Sequence, residues 1–205
     1  KSAVTAIGTF AEHGGNYFTG EMLGSVYQTL LNDGLRTIHP SIRAEVFEVM
    51  GYMVTSACHL YGPACGLPQE QLQGVAHPLD NNITQIATET VVLMLNAMDD
   101  EEDKKCVASA IETIAHVIDR IGCSILTLPA ECASLKSPEE LAASKYQNMQ
   151  ILQRLMSSIV QFLSEKGHCQ EQYDITSAEQ DDDEIGDHDG DVMDPITDLI
   201  GVLAK

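Results

Sequence analysis

Apolar residues along this chain recur at intervals of three and four, the spacing of one face of a helix. Ile42, Val46, Val49, Met50 and Met53 share such a face in a segment opening at Pro40, while Arg43, Glu45 and Glu48 take the other side. Proline suits a first helical turn because its missing N–H would be unpaired there anyway. Upstream, Leu23, Val26, Tyr27, Leu30 and Leu31 form a second stripe of the same period, separated by a short polar turn around Gly34 and His39. Two amphipathic helices with a short link make an antiparallel hairpin. Such a hairpin cannot bury both apolar faces alone, so these units stack.

The pattern returns along the chain. Ala3-xx-Ala6-Ile7-Gly8 reads like Val46-xx-Val49-Met50-Gly51, 43 residues on, and Val107-xx-Ala110-Ile111 reads like both, a further 61 along. A period of roughly 40–47 residues is that of HEAT and armadillo repeats. The longer second interval matches an insertion, residues 62–81, rich in Gly, Pro, Gln and Asn, which reads as a loop. The expected fold is all-α: a HEAT-repeat, armadillo-like right-handed solenoid of stacked antiparallel helix pairs. Residues 1–13 end a first repeat, 17–61 form the second, 82–125 the third, and 137–205 the fourth, which contains an acidic loop at 169–191. Gly8 and Gly51 are small residues that let neighbouring helices approach.

Element boundaries follow from local signals. Gly14-Gly15-Asn16 stops the first helix, since glycine takes the left-handed conformation that ends helices. The second repeat runs from Tyr17 to about Leu35 and from Pro40 to about Tyr61. In the third, a helix from about Asn82 to Met98 meets Asp99-Asp100-Glu101-Glu102-Asp103, a turn and the start of a helix reaching about Ile125. Acids are favourable at a helix N-terminus, facing the positive end of the macrodipole. Ser137-Pro138-Glu139-Glu140 has the N-cap, proline and capping-box glutamate of another start. Met149, Leu152, Met156, Ile159, Val160 and Leu163 are expected to carry that helix to Gly167. From Cys169 to Asp191 there is no apolar period, and the segment reads as disordered or mobile. Asp194-Pro195 restarts a helix with Ile196, Leu199, Ile200 and Leu203 as its buried stripe, the partner of the Ser137 helix. The chain runs from Lys1 to Lys205, each in or near a helix, and reads as a section of a longer stack.

Composition narrows the chemistry. The chain is 44% apolar, enough for a continuous core, and its net charge is −20. That charge argues against nucleic acid as the direct ligand and favours basic proteins. Six cysteines stand at 58, 65, 106, 123, 132 and 169, without CxxC or paired-histidine spacing, as reduced residues of a cytosolic or nuclear protein do. There is no signal-peptide pattern, and the apolar run Val91-Val92-Leu93-Met94-Leu95 is far too short to span a bilayer. Seven histidines lack metal spacing. No Ser-His-Asp or Cys-His arrangement and no Gly-rich phosphate loop stands out, so the sequence predicts no enzyme, no metal and no cofactor. The tract Asp181-Asp182-Asp183-Glu184-Ile185-Gly186-Asp187 fails as a calcium loop. Asp183 and Gly186 fit its third and sixth positions, but Ile185 holds the fifth and Val192 stands where the bidentate glutamate belongs. Two readings remain: a lure for basic partners through Asp181, Asp182, Asp183, Glu184 and Asp187, or a solvated linker.

The Pro40-x-Ile42-Arg43-xx-Val46-xx-Val49-Met50-Gly51 segment resembles a HEAT-repeat second helix. The order of segments resembles the middle of an importin-β (karyopherin-β) superfamily receptor of the importin four branch. The similar features are Ala6-Ile7-Gly8-Thr9-Phe10-Ala11, the Tyr17-Phe18 helix entry, His39-Pro40-Ser41-Ile42-Arg43 and Ala110-Ile111-Glu112-Thr113-Ile114. The acidic tract after Cys169 sits inside a repeat, as the family places it. The resemblance covers nearly the whole chain. It implies a section of a nuclear import receptor that shuttles between cytoplasm and nucleus. Its partners would be basic cargo proteins with nuclear-localisation segments (ribosomal proteins, histones), Ran-GTP as the releasing factor and Phe-Gly nucleoporins, with neither nucleic acid nor membrane. It also implies that the second helices line a concave surface, on which Glu45, Glu48, Tyr52, Glu112, His116 and Asp119 lie off the apolar stripes. Carboxylates there would pair cargo Lys and Arg, with Tyr52 packing on their aliphatic stems. Arg43 takes the place of the repeat's structural arginine. The alternative is a HEAT scaffold or regulatory subunit that binds proteins without a transport role.

Overall fold

The computed structural model describes residues 2–13, 20–61, 81–131, 137–171 and 190–205. Its helices are α1 (Ser2–His13), α2 (Gly20–Thr29), α3 (Pro40–Tyr61), α4 (Asn81–Asp100), α5 (Lys104–Ile121), α6 (Pro138–Ala142), α7 (Ile151–Leu163), α8 (His168–Glu171) and α9 (Gly190–Leu203). A π-helical turn, Leu30–Gly34, continues α2, and a 3-10 turn, Cys123–Thr127, follows α5. The fold is all-α. Among the described residues, β pairing is confined to the single bridge between Pro129 and Gln150. The Gly14-Gly15-Asn16 stop, the 62–80 stretch of the insertion, and the acidic loop with Asp181, Asp182, Asp183, Glu184 and Asp187 lie outside the described residues.

The helices follow one another as neighbours. α1 packs on α3, α3 on α5 and α5 on α9, while α4 fits against α3, α5 and α7, and α2 rests on α3. One hydrophobic core runs through these seven helices, with Val46, Met50 and Met53 of α3, Val91, Met94 and Leu95 of α4, and Val107, Ile111 and Ile114 of α5 fully buried. Gly8 and Gly51 stand where two of these helices meet. A Cβ on Gly8 would come within 2.8 Å of Val49 Cγ2, and one on Gly51 within 2.8 Å of Thr113 Cγ2. Both contacts are closer than carbon atoms tolerate.

Boundaries differ from expectation in several places. α5 starts at Lys104, because the Asp103 side chain accepts the Cys106 N–H at 3.0 Å and caps it. It stops at Gly122, whose φ of 94° strains any L-residue, so the helix does not run on to Ile125. The second difference is larger. The single helix expected from Ser137 to Gly167 is broken after Ala142. Ser137 and Glu140 do form the expected capping box. Then Ala130 N–H bonds to Met149 O at 2.9 Å and Ile151 N–H to Leu128 O at 2.8 Å, which holds 149–151 extended against 128–130. Asn148 just before takes the left-handed φ of 65° that asparagine tolerates. α7 restarts at Ile151, with Gln153 Oε1 accepting the Gln150 N–H at 3.1 Å.

The restart leaves a different face packed. Ile151, Leu155, Ile159 and Phe162 are buried, whereas Leu152, Met156, Val160 and Leu163, expected inside, are exposed. On α9, Val192, Ile196 and Leu199 are buried but Ile200 is exposed, and the helix begins four residues before the expected Asp194, carrying Pro195 within it. It packs on α5 and α7.

Two arginines tie neighbouring helices to the junction of α4 and α5. Arg43 grips Glu101 with both arms of its guanidinium (Nε to Oε2 3.0 Å, Nη2 to Oε1 2.7 Å), and its Nη1 donates to Thr37 O at 2.9 Å. Arg154 of α7, 1% exposed, donates to Asp99 Oδ2 at 2.7 Å, Asn96 Oδ1 at 2.8 Å and Ala130 O at 3.1 Å, under the Tyr146 ring. Both acids come from the junction of α4 and α5, so that junction holds α3 on one side and α7 on the other.

Candidate functional site: an acidic face across four helices

Because α1, α3, α5 and α9 succeed one another, polar positions off their apolar stripes meet on a common face. Glu48 and Tyr52 are one helical turn apart on α3, and Glu112 and His116 one turn apart on α5. The Tyr52 and His116 rings meet edge to face, with centroids 5.2 Å apart and planes at 73°. His116 Nε2 lies 3.3 Å from Thr55 Oγ1, and Ser109 Oγ donates to Glu48 Oε1 at 3.3 Å. These contacts hold α3 and α5 in register beneath the carboxylates.

The electrostatics show which acids share the face. Burial first, then the carboxylates of Glu48 and Asp198, raises the Glu112 pKa above its ordinary 4.5. The Tyr52 phenol is raised above 10 by burial and then by Glu12, Glu48 and Glu112. His116 moves the other way: burial and Arg120 lower it below 6.5, against the opposing pull of Asp119 and Glu12. Glu12, Glu48, Glu112 and Asp198 thus contribute one exposed carboxylate each from α1, α3, α5 and α9 to a common negative field.

Of the residues expected on this face, the structure brings Glu48, Tyr52, Glu112 and His116 together. Glu45 is half-buried and accepts a hydrogen bond from Thr5 Oγ1 across the α1–α3 contact. Asp119 pairs with Lys205 Nζ at 3.0 Å in an exposed contact. Two members were missed by the sequence reading, Glu12 and Asp198. Glu12 was findable: it lies 43 residues before Thr55, and Thr55 lies 61 before His116, the same spacings that the apolar pattern shows in the sequence. Asp198 carried no such signal, since its helix follows the acidic loop at an irregular interval. Arg154 was missed as well, a lone cation inside an apolar stripe.

Among the described residues no group of His, Cys, Asp and Glu is arranged to hold a metal ion, and no helix is long and apolar enough to cross a membrane. The face can attract cations through charge and offer Tyr52 as an apolar surface beside them. Comparison with models of protein families and with curated proteins finds no match to the chain.

Proposed function

We propose that this chain binds basic, extended segments of partner proteins on the face formed by α1, α3, α5 and α9, as a section of a HEAT-type nuclear import receptor. One observation carries the binding role: exposed carboxylates from α1, α3, α5 and α9 stand close enough together that their charges add to the effect of burial in raising the Glu112 and Tyr52 pKa values. Like charges gathered at a cost to the fold are relieved when Lys or Arg arrives. The net charge of −20 steers such partners toward it. Support for transport comes from the resemblance of the repeat motifs and the placement of the acidic tract. The basic segment is then a nuclear-localisation signal of a ribosomal protein or histone, Ran-GTP drives its release, and Phe-Gly nucleoporins carry the receptor through the pore.

The test is a titration of a lysine-rich histone-tail or ribosomal-protein localisation peptide against the chain in a salt series, beside the Glu48→Gln/Glu112→Gln variant and a deletion of residues 178–189, which stops short of α9. Binding that weakens with salt, and about tenfold (~1.4 kcal/mol) in the double variant at low salt, supports the face as the site. Weakening by the deletion instead places the peptide on the acidic loop. Absence of binding at low salt rejects the reading. Peptide affinity that falls when Ran-GTP is added favours transport, and affinity indifferent to Ran-GTP favours the scaffold alternative.

A further inference from the structure

Within the acidic face, the half-buried side chain of His116 differs in kind from its neighbours. An ordinary imidazole gains its proton near pH 6.5, well above the range in which ordinary carboxylates do. Two residues of α3 fix the ring. Its centroid lies 5.2 Å from that of Tyr52, with planes at 73°, and Nε2 stands 3.3 Å from Thr55 Oγ1. The Thr55 hydroxyl already donates its one proton to Tyr52 O at 3.1 Å, so in the contact with His116 its oxygen accepts and Nε2–H donates. That contact suits both the neutral Nε2–H tautomer and the imidazolium. A second proton goes to Nδ1, and the ring gains charge without leaving its place.

Charged groups from four helices surround this ring. On α5 itself, Glu112 lies one turn before it and Asp119 and Arg120 about one turn after. Burial first and then Arg120 hold the proton off, while Asp119 and Glu12 of α1 draw it on. From α3 come Tyr52 and Glu48, and the phenol of Tyr52 feels Glu12, Glu48 and Glu112 together. α9 adds Asp198, which acts on Glu112, and Lys205 just beyond its end holds Asp119 at 3.0 Å. His13 of α1 is exposed, with Nε2 3.4 Å from Glu12 Oε2. With the His116 pKa below 6.5, this ring adds no cation to the face at pH 7.5.

We propose that His116 is a proton switch for this face: its imidazolium adds a positive charge among Glu12, Glu48, Glu112 and Asp119 and weakens the binding of basic segments. The switch rests on the basic-segment reading of the face and adds its regulation. A proton on His116 and a Lys or Arg side chain of the partner compete for one negative field without sharing atoms. Their coupling is therefore reciprocal. Two unit charges about 6 Å apart, one helical turn, at an effective dielectric of about 60, change an affinity about fivefold. Protonation of Glu112 weakens binding in the same direction, because its pKa is raised by burial, Glu48 and Asp198. Variants separate the two groups.

The test titrates an acetylated, amidated peptide of Lys, Arg, Gly and Ser, which does not itself change charge, into the chain between pH 7.5 and 5.0 at fixed ionic strength. Wild type, His116→Gln, Glu112→Gln and His13→Gln are compared, with circular dichroism at each pH showing that each is folded. The wild-type affinity is expected to fall as the pH drops, with about fivefold of the fall due to His116. The ratio of affinities across the range is expected to shrink by that factor in His116→Gln. NMR of the His116 ring in the wild type gives a second reading that needs no variant. Saturating peptide is expected to lower the midpoint of its titration by about 0.7 pH, the logarithm of the same factor. An unchanged midpoint overturns the switch. So does a pH dependence that His116→Gln leaves intact and Glu112→Gln or His13→Gln removes. Binding at pH 7.5 without any effect of His116 rejects the switch alone, whereas no binding at pH 7.5 rejects the basic-segment reading and the switch with it.

Discussion

Glu112 carries the most information of any single residue here. It stands 61 residues after Gly51, which stands 43 after Gly8, and at those two glycines the small residue lets the helices touch. Glu112 lies at the surface, a carboxylate whose pKa is raised by partial burial, Glu48 and Asp198. An acid with a raised folded-state pKa favours folding below its unfolded value and loses that contribution as pH rises through the folded one. Near neutral pH the charge therefore opposes folding, and Glu112→Gln is expected to raise the melting temperature while weakening basic-peptide binding. A variant that loses both would mark a structural residue. His116 has the opposite linkage. Its lowered pKa gives stability that is present above 6.5 and lost as pH falls through the folded value, among Tyr52, Thr55, Glu12, Asp119 and Arg120. Urea unfolding at pH 7.5 and 5.5 should show a fall in stability that His116→Gln makes smaller. Cys106 offers a simpler check. Burial, with Glu101 and Asp103 nearby, pushes its thiol up to about 12, and its Sγ donates to Pro40 O at 3.0 Å. At pH 8 the thiolate fraction is roughly one part in 10⁴, so an alkylating reagent followed by peptide mapping should label exposed Cys123 and spare Cys106.

At the scale of elements, the α4–α5 junction is the mechanical centre of the chain. Glu101 holds Arg43 of α3 and Asp99 holds Arg154 of α7, so one five-residue acidic stretch fastens a neighbour on each side. The two ties are not equal. The Arg43 pair is partly solvated, with side chains 18% and 17% exposed, whereas the Arg154 pair is 1% and 7% exposed. Removing one partner of a buried pair leaves the other charge without compensation, a loss of about 3–5 kcal/mol. Arg154→Ala is therefore expected to cost that much in chemical denaturation, with part recovered by adding Asp99→Asn. Arg43→Ala should cost about 1 kcal/mol, nearer the value of a solvated pair. The sequence reading treated this acidic stretch as a helix start serving the macrodipole, and only Asp103 serves that end, as the N-cap of α5. The partners of Asp99 and Glu101 lie 55 and 58 residues away, beyond any local rule.

For the whole molecule, net charge sets the response to salt. With a charge of −20 the folded chain repels itself and its copies, and it attracts cations. Raising salt from about 50 to about 500 mM shortens the Debye length from roughly 14 to 4 Å. One salt series should then move two quantities in opposite directions: the melting temperature upward and basic-peptide affinity downward. A peptide affinity indifferent to salt would mean that charge does not drive its binding.

What the sequence by itself determined is the helical class and the close approach at Gly8 and Gly51. These rest on local signals or a fixed spacing: apolar period, Pro40, the Ser137–Glu140 box, and Gly8 and Gly51 at 43 residues apart. Half of the acidic face was legible in the same way, as Glu48, Tyr52, Glu112 and His116 follow from helical phase. Tertiary structure decided the rest. The apolar arc of α7 is wider than any one neighbour covers, so its sequence allows either Ile151, Leu155 and Phe162 or Leu152, Met156 and Val160 to face inward. The choice was made by the backbone pairing of 128–130 with 149–151 and by the burial of Arg154 against Asp99. Glu12 and Asp198 joined the face because α1 and α9 pack on opposite sides of the α3–α5 pair. Period is written within a few helical turns, whereas charge pairing and facing depend on which distant segment arrives beside each helix.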